Sequence, residues 1–194
     1  MKISDSWSQY LTKIQEKFPG AVIAGGCLRD LKLGFPIKDI DIFIPNGDDS
    51  KFREYVQIDQ NEIITKESIN YGGMSNEDVQ YVFSTSVKIK SLETDLVGIP
   101  VEFIFVNLKE GEKIKDRFDF GICHIEYNGA EILFDKHFLL DEMFKTVTLV
   151  RCDNEAQYGR SLRRWNENFQ FKFKDWKLVI PDSFASFNTI ITIN

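Results

Sequence analysis

Asp39 and Asp41 stand two residues apart in the run Asp39-Ile40-Asp41-Ile42-Phe43-Ile44. Its period of two is that of a strand, which puts both carboxylates on one face and the isoleucines on the other. Carboxylates so placed offer hard oxygen ligands for one or two Mg²⁺ ions. Gly25-Gly26 lies 12 residues upstream, at the end of the short apolar run Ala21-Val22-Ile23-Ala24. Paired glycines remove side chains, so backbone N–H groups can approach an anion at the start of the following helix, where the dipole is positive. Arg29, one turn into that helix, adds a fork of donors for the same anion. Two-metal phosphoryl chemistry needs a further acidic group on the nucleophile side, and Glu102, on its own strand, is the candidate. A metal, a triphosphate and an activated hydroxyl would then meet in one cleft. Asp30 is expected to brace Arg29 or the helix start rather than to bind metal.

The elements that must position these residues are legible in outline. Trp7, Tyr10, Leu11, Ile14 and Phe18 recur at helical spacing until Pro19-Gly20. A buried strand at 21–24, a brief helix stopped by Gly34, and the acidic strand closed by Pro45-Asn46-Gly47 follow. Residues 57–78 are polar, carry Tyr71-Gly72-Gly73-Met74, and read as a mobile excursion. Residues 79–90 and 99–106 read as strands, and 122–127 with 131–134 flank the hairpin signal Asn128-Gly129. A helix is expected over about 155–169, followed by an aromatic-rich extension docking on the core.

The chain has 194 residues, 43% apolar and 28% charged, an ordinary globular composition that excludes a large multidomain machine. A chain of this size buries roughly 70% of its unfolded surface, so it needs no staples. No apolar run approaches the ~20 residues of a bilayer span, and no signal-peptide core appears, so the protein is expected to be soluble and cytoplasmic. Cys27, Cys123 and Cys152 form no C-x-x-C pair, and His124 and His137 are the only imidazoles. Free thiols in a reducing compartment, without a zinc site, are expected, and neither histidine is assigned a catalytic role. Net charge is −6, yet residues 151–177 hold 7 Lys/Arg against 4 Asp/Glu, while 1–150 hold 17 against 25. An acidic bulk beside a basic segment argues against nonspecific coating of nucleic acid but leaves a local stripe able to hold phosphates.

A hydrophobic residue, Gly-Gly, a 12-residue spacer, an acidic D-h-D-h strand and a later strand carboxylate together resemble the DNA polymerase β-type nucleotidyltransferase superfamily. Within it, AGGCLRDLKLGFPIKDIDIFI is similar to the head domain of tRNA CCA-adding enzymes and bacterial poly(A) polymerases. The resemblance implies an α+β fold, a mixed sheet backed by helices, with a head over 1–150 and a basic, aromatic-rich extension over 151–194. It also implies a nucleoside triphosphate substrate, Mg²⁺, and nucleotidyl transfer with release of pyrophosphate.

Arg117-Phe118-Asp119-Phe120-Gly121-Ile122-Cys123 is similar to the family's R-R-D-F-T-I-N element, with Phe118 in place of the second Arg and Cys123 in place of Asn. Arg117 and Asp119 are thereby implied at the nucleotide. Arg160-Ser161-Leu162-Arg163 is similar to the E-D-x-x-R-x-x-R helix that reads the base and triphosphate, with Ala156 and Gln157 at its two acidic positions. Arg160 and Arg163 are implied as triphosphate contacts, while neutral Gln157 offers the base a different set of donors and acceptors. The acceptor stays open between an RNA 3′ end and a protein side chain or small molecule. The altered positions also leave room for a module that binds a nucleotide or partner without turnover.

Overall fold

Ser4 ends an extended segment and its Oγ accepts from the Trp7 backbone N–H at 3.3 Å, which starts helix α1 (Asp5–Gln15). Trp7, Tyr10, Leu11 and Ile14 form its buried stripe. The computed structural model describes residues 1–46, 51, 54, 64–67, 79–85 and 99–190. Strand β1 (Val22–Ala24) runs into helix α2 (Gly26–Leu33), which Gly34 stops in the left-handed conformation at φ 76°. Strands β2 (Ile40–Pro45), β3 (Ile64–Glu67), β4 (Val79–Thr85) and β5 (Val101–Val106) follow. Two 3₁₀ turns, Ile114–Arg117 and Gly121–Cys123, lead to β6 (Ile125–Tyr127) and β7 (Ile132–Phe134). Asp135 caps helix α3 (Lys136–Phe144), and β8 (Thr146–Thr148) leads to α4 (Glu155–Arg164) and then β9 (Lys177–Val179).

The main sheet has seven strands in the order β3-β4-β5-β2-β1-β6-β7. It is mixed: β2 and β5 run parallel, and every other pair is antiparallel. Strands β8 and β9 form a separate parallel pair. This is the α+β architecture expected, with β2 at the centre of the strand order between β5 and β1. Ile40, Ile42, Phe43, Phe103, Ile104 and Phe105 are all fully buried. Helix α1 packs on this core through Tyr10 against Phe103, with ring centroids 6.3 Å apart.

The 122–127 segment does not run as one strand. Gly121–Cys123 is a 3₁₀ turn, and position 121 leaves no room for a side chain: a Cβ there would lie 2.9 Å from both Asp141 Oδ2 and His137 Cβ. The hairpin beyond it forms as expected, with Asn128 Oδ1 accepting from the Ala130 and Glu131 backbone N–H groups at 2.9 Å. In the polar stretch read as an excursion, residues 64–67 are strand β3; Tyr71-Gly72-Gly73-Met74 lies outside the described residues, as do 86–90. The helix expected over 155–169 is α4 continued by a π-helical turn at Trp165–Phe169.

The aromatic extension docks on the core. Phe169 packs on Phe120 at 5.3 Å and on Phe173 at 5.5 Å, and Phe173 reaches Phe35 at 5.3 Å. Tyr158, Phe169 and Phe173 thus belong to the same buried cluster as the sheet residues. Among the described residues, no helix is long and apolar enough to cross a membrane.

Candidate active site

The β1–α2 junction is built around Gly25, whose φ of 75° and ψ of −125° suit a residue without a side chain. A Cβ there would lie 2.8 Å from the Phe118 ring. Phe118 therefore occupies the close-approach face of the glycine, wedged edge-on to Phe43 of β2 at 5.5 Å. Gly26 opens α2, and a Cβ on it would meet only an Arg29 nitrogen at 3.7 Å.

Strand pairing gathers the acidic residues. Val22 pairs Phe43 and Ile23 pairs Ile42, so the next step of that register sets Ala24 beside Asp41. In the parallel ladder on the other side, Asp41 is the direct partner of Glu102. Asp39 precedes β2 by one residue, where the Ile40 N–H donates to Pro100 O at 2.9 Å. All three acidic residues are half-buried. Cys27, in the first turn of α2, lies within the field of both aspartates: burial, reinforced by Asp41, pushes its thiol pKa up, so it stays a neutral packing residue. The glycine junction and the acidic strand ends are therefore immediate neighbours. Among the described residues, no cation pairs with Asp39 or Glu102. The donor set is hard, anionic and oxygen-only, which fits Mg²⁺.

Arg29 does not reach out from α2. It is buried, its Nε donates to Asp30 Oδ1 at 2.8 Å and its Nη1 to Cys123 Sγ at 3.2 Å, and its guanidinium lies 4.8 Å from the Phe169 ring centroid. Burial opposes its charge, but the Cys123 sulfur and the Asp30 carboxylate raise its pKa overall. Asp30 braces Arg29 as expected, and Lys172 from the extension also binds it.

Asp119 is fully buried and organises a second polar knot. It accepts from Ser161 Oγ at 2.6 Å, from Arg164 Nη1 at 2.6 Å and from the Phe120 backbone N–H at 2.9 Å. Arg164 also lies over the Phe169 ring at 5.2 Å. Arg117 is buried, with its Nη2 donating to Glu112 and to Asn107 O. Arg29, Arg117 and Asp119 thus spend their side chains on protein partners. Arg160 is half-buried with a buried Nε that has no hydrogen-bond partner among the described residues, and Arg163 is exposed. Among the described residues, neither Arg160 nor Arg163 on α4 forms an ion pair.

Two residues have roles the sequence comparison did not supply. Gln157 is fully buried and closes the start of α4: Asn154 Oδ1 accepts its N–H at 2.9 Å, while its own Oε1 accepts from the Asp153 N–H at 2.7 Å. The spacing Asn154-x-x-Gln157 is a capping-box signature and identifies this role from sequence. Arg164 holds Asp119; the signal was the helical stripe Gln157, Ser161, Arg164, a polar face turned inward. Asp141 performs a similar service for β8, accepting from Thr146 Oγ1 at 2.8 Å and from Thr148 Oγ1 at 2.6 Å.

A seven-stranded mixed sheet whose first strand breaks on glycine beside a paired acidic strand has the fold seen in the head of CCA-adding enzymes, as superposition on solved structures shows. A tRNA-processing enzyme in its apo form I superposes with a TM-score of 0.61 at 15% identity over 96% of this chain and 47% of its own. The Thermotoga maritima CCA-adding enzyme complexed with tRNA gives 0.60 at 16% identity, covering 95% and 42%. A CCA-adding enzyme in complex with ATP gives 0.61 at 18% identity, covering 95% and 41%. The chain spans less than half the length of these structures. The model of the Gad2 family, Gabija anti-defense 2 family protein, matches residues 1–143, and the chain belongs to that family. A search of curated proteins found no match.

Proposed function

We propose that the chain is a nucleotidyltransferase that moves a nucleoside monophosphate from an NTP to an acceptor hydroxyl and releases pyrophosphate. The observation that carries this reading is the register match of Asp41 with Glu102 beside the Gly25 junction. In the reaction the acceptor oxygen bonds to the α-phosphorus, the bond from that phosphorus to the bridging oxygen breaks, and pyrophosphate leaves with the electron pair. Asp39, Asp41 and Glu102 are the residues that would hold Mg²⁺, which when bound neutralises charge developing on the phosphoryl oxygens. Glu102, at the outer side of the pair, would orient the acceptor hydroxyl and receive its proton. The Gly25 N–H donates to Ile125 O at 3.0 Å, so the Gly26 backbone N–H at the α2 N-terminus is the one that would meet the triphosphate. The unpaired Nε of Arg160 supports a phosphate contact from α4. Arg29, Arg117 and Asp119 would shape the pocket from behind, and exposed Arg163 would add charge at its rim. We place the protein in the cytoplasm, where NTPs and Mg²⁺ are plentiful.

The neighbours' names point to tRNA as one acceptor class, and the family's anti-defense name points to a component of Gabija as another. The deciding experiment is incubation with each α-labelled NTP and Mg²⁺, with either cell RNA or Gabija proteins as acceptor. Label entering one of these pools establishes transfer and names the class. The Phe118 ring packed on the glycine junction and the Arg29 side chain sealed under Phe169 favour a second reading, a module that binds nucleotide or partner without turnover. Calorimetric NTP binding with no label moving in any mixture selects it.

A further inference from the structure

His124, Asp135 and His137 come together where the 3₁₀ turn, the end of β7 and the first turn of α3 meet, and their ligand atoms all lie within 4.8 Å of one another. His124 is buried, and its Nε2 donates to Phe118 O at 3.0 Å, the bond that fixes this ring's tautomer. Its Nδ1, the lone-pair nitrogen, then faces Asp135 Oδ1 at 3.9 Å, beyond hydrogen-bond reach. The His137 Nδ1 is also buried and lies 3.0 Å from the same oxygen, without the alignment of a hydrogen bond. The two rings stand edge to face, 5.7 Å apart.

The surroundings are those of a ligand shell. Asp135 Oδ1 accepts the His137 backbone N–H at 2.9 Å and keeps a second lone pair, while Oδ2 is held by Lys115 Nζ at 3.1 Å. An imidazole anchored through its far nitrogen to a backbone carbonyl, and a carboxylate anchored through its second oxygen, are the outer contacts that orient metal ligands. Two imidazoles and a carboxylate select a borderline divalent ion over Mg²⁺.

We propose that His124 Nδ1, His137 Nδ1 and Asp135 Oδ1 bind a divalent transition-metal ion of the Zn²⁺ class, with a fourth position left for water or a partner's ligand. The site is independent of Asp39, Asp41 and Glu102. Bound there, the ion would fasten the turn that follows Asp119 to the first turn of α3.

The test is calorimetric titration of the chelator-treated full chain with Zn²⁺, in a Cys152→Ser background that removes the half-exposed thiol. Co²⁺ absorption would report coordination number. One ion per chain, the visible bands of four-coordinate Co²⁺ and a Zn²⁺-dependent rise in Tm are expected. His137→Asn should weaken binding at least tenfold and abolish the Tm rise; its side chain is 38% exposed, so the fold should tolerate the change. Asp135→Asn retains an oxygen at the α3 cap and should also weaken binding. Asp41→Asn should leave it intact. Absence of stoichiometric binding overturns the proposal. So does binding that His137→Asn and Asp135→Asn leave unchanged, or that Asp41→Asn abolishes.

Discussion

Asp41 and Glu102 are direct partners in the parallel β2–β5 ladder. Neighbouring strands run about 4.8 Å apart, so residues in register there present their side chains side by side. That pairing requires the buried Ile40, Ile42, Phe103 and Phe105 to interlock, and a slip of one residue would turn the aspartates into the core. The acidic pair is therefore placed by apolar packing.

Asp41→Asn is expected to cut nucleotidyl transfer by about 100-fold or more, because charge stabilisation at such a site supplies several kcal/mol of the barrier reduction. Its circular dichroism and Tm should stay near wild type. Steady-state transfer assays beside thermal melts check both halves of the expectation, and Glu102→Gln should behave in the same way.

Gly25→Ala should destabilise the fold by about 1–3 kcal/mol, through its backbone conformation and the 2.8 Å approach to the Phe118 ring. Adding Phe118→Ala should relieve the steric part and leave the conformational part. A double-mutant cycle by urea denaturation separates the two.

Asp119→Ala should cost about 3 kcal/mol or more, since it leaves the Arg164 guanidinium and Ser161 Oγ without their shared acceptor. Combining it with Arg164→Met should restore part of that loss. Denaturant midpoints provide the measure.

Gln157→Ala should lower stability by about 1 kcal/mol through loss of the α4 cap, and leave the order of preference among ATP, CTP, GTP and UTP unchanged. Arg160→Ala should do the reverse, raising the KM for NTP about tenfold or more with little change in Tm. Running both variants through the same melts and kinetics tests the division of labour along α4.

Much of this architecture was legible from pattern alone. Gly25-Gly26, the period-two acidic strand and the Asn128-Gly129 hairpin report local backbone demands, and each forms as read. The fate of the arginines was not legible in the same way. Whether Arg29 meets a ligand or a neighbour depends on Asp30, Cys123 and Phe169, which come from three separate elements. Likewise, His124 and His137 carry no metal-like spacing, because the hairpin turn and the cap that bring them together are set by Asn128 and Asp135. Gln157 corresponds to an acidic family position, while the Asn154-x-x-Gln157 spacing marks it as part of the α4 cap, where its Oε1 accepts from the Asp153 N–H.

The docking of Phe169 and Phe173 has a practical corollary for anyone trimming or grafting this protein. The family match ends at residue 143, yet Arg29, Phe35 and Phe120 rest against rings that arrive later in the chain. A fragment cut at that boundary would display bare aromatic surface and a stranded guanidinium, and would clump rather than dissolve. Chimeras and minimal versions must carry the polypeptide past Phe173 through Phe187, because Trp176 packs on Phe173, β9 pairs with β8 and Phe187 packs on Tyr158.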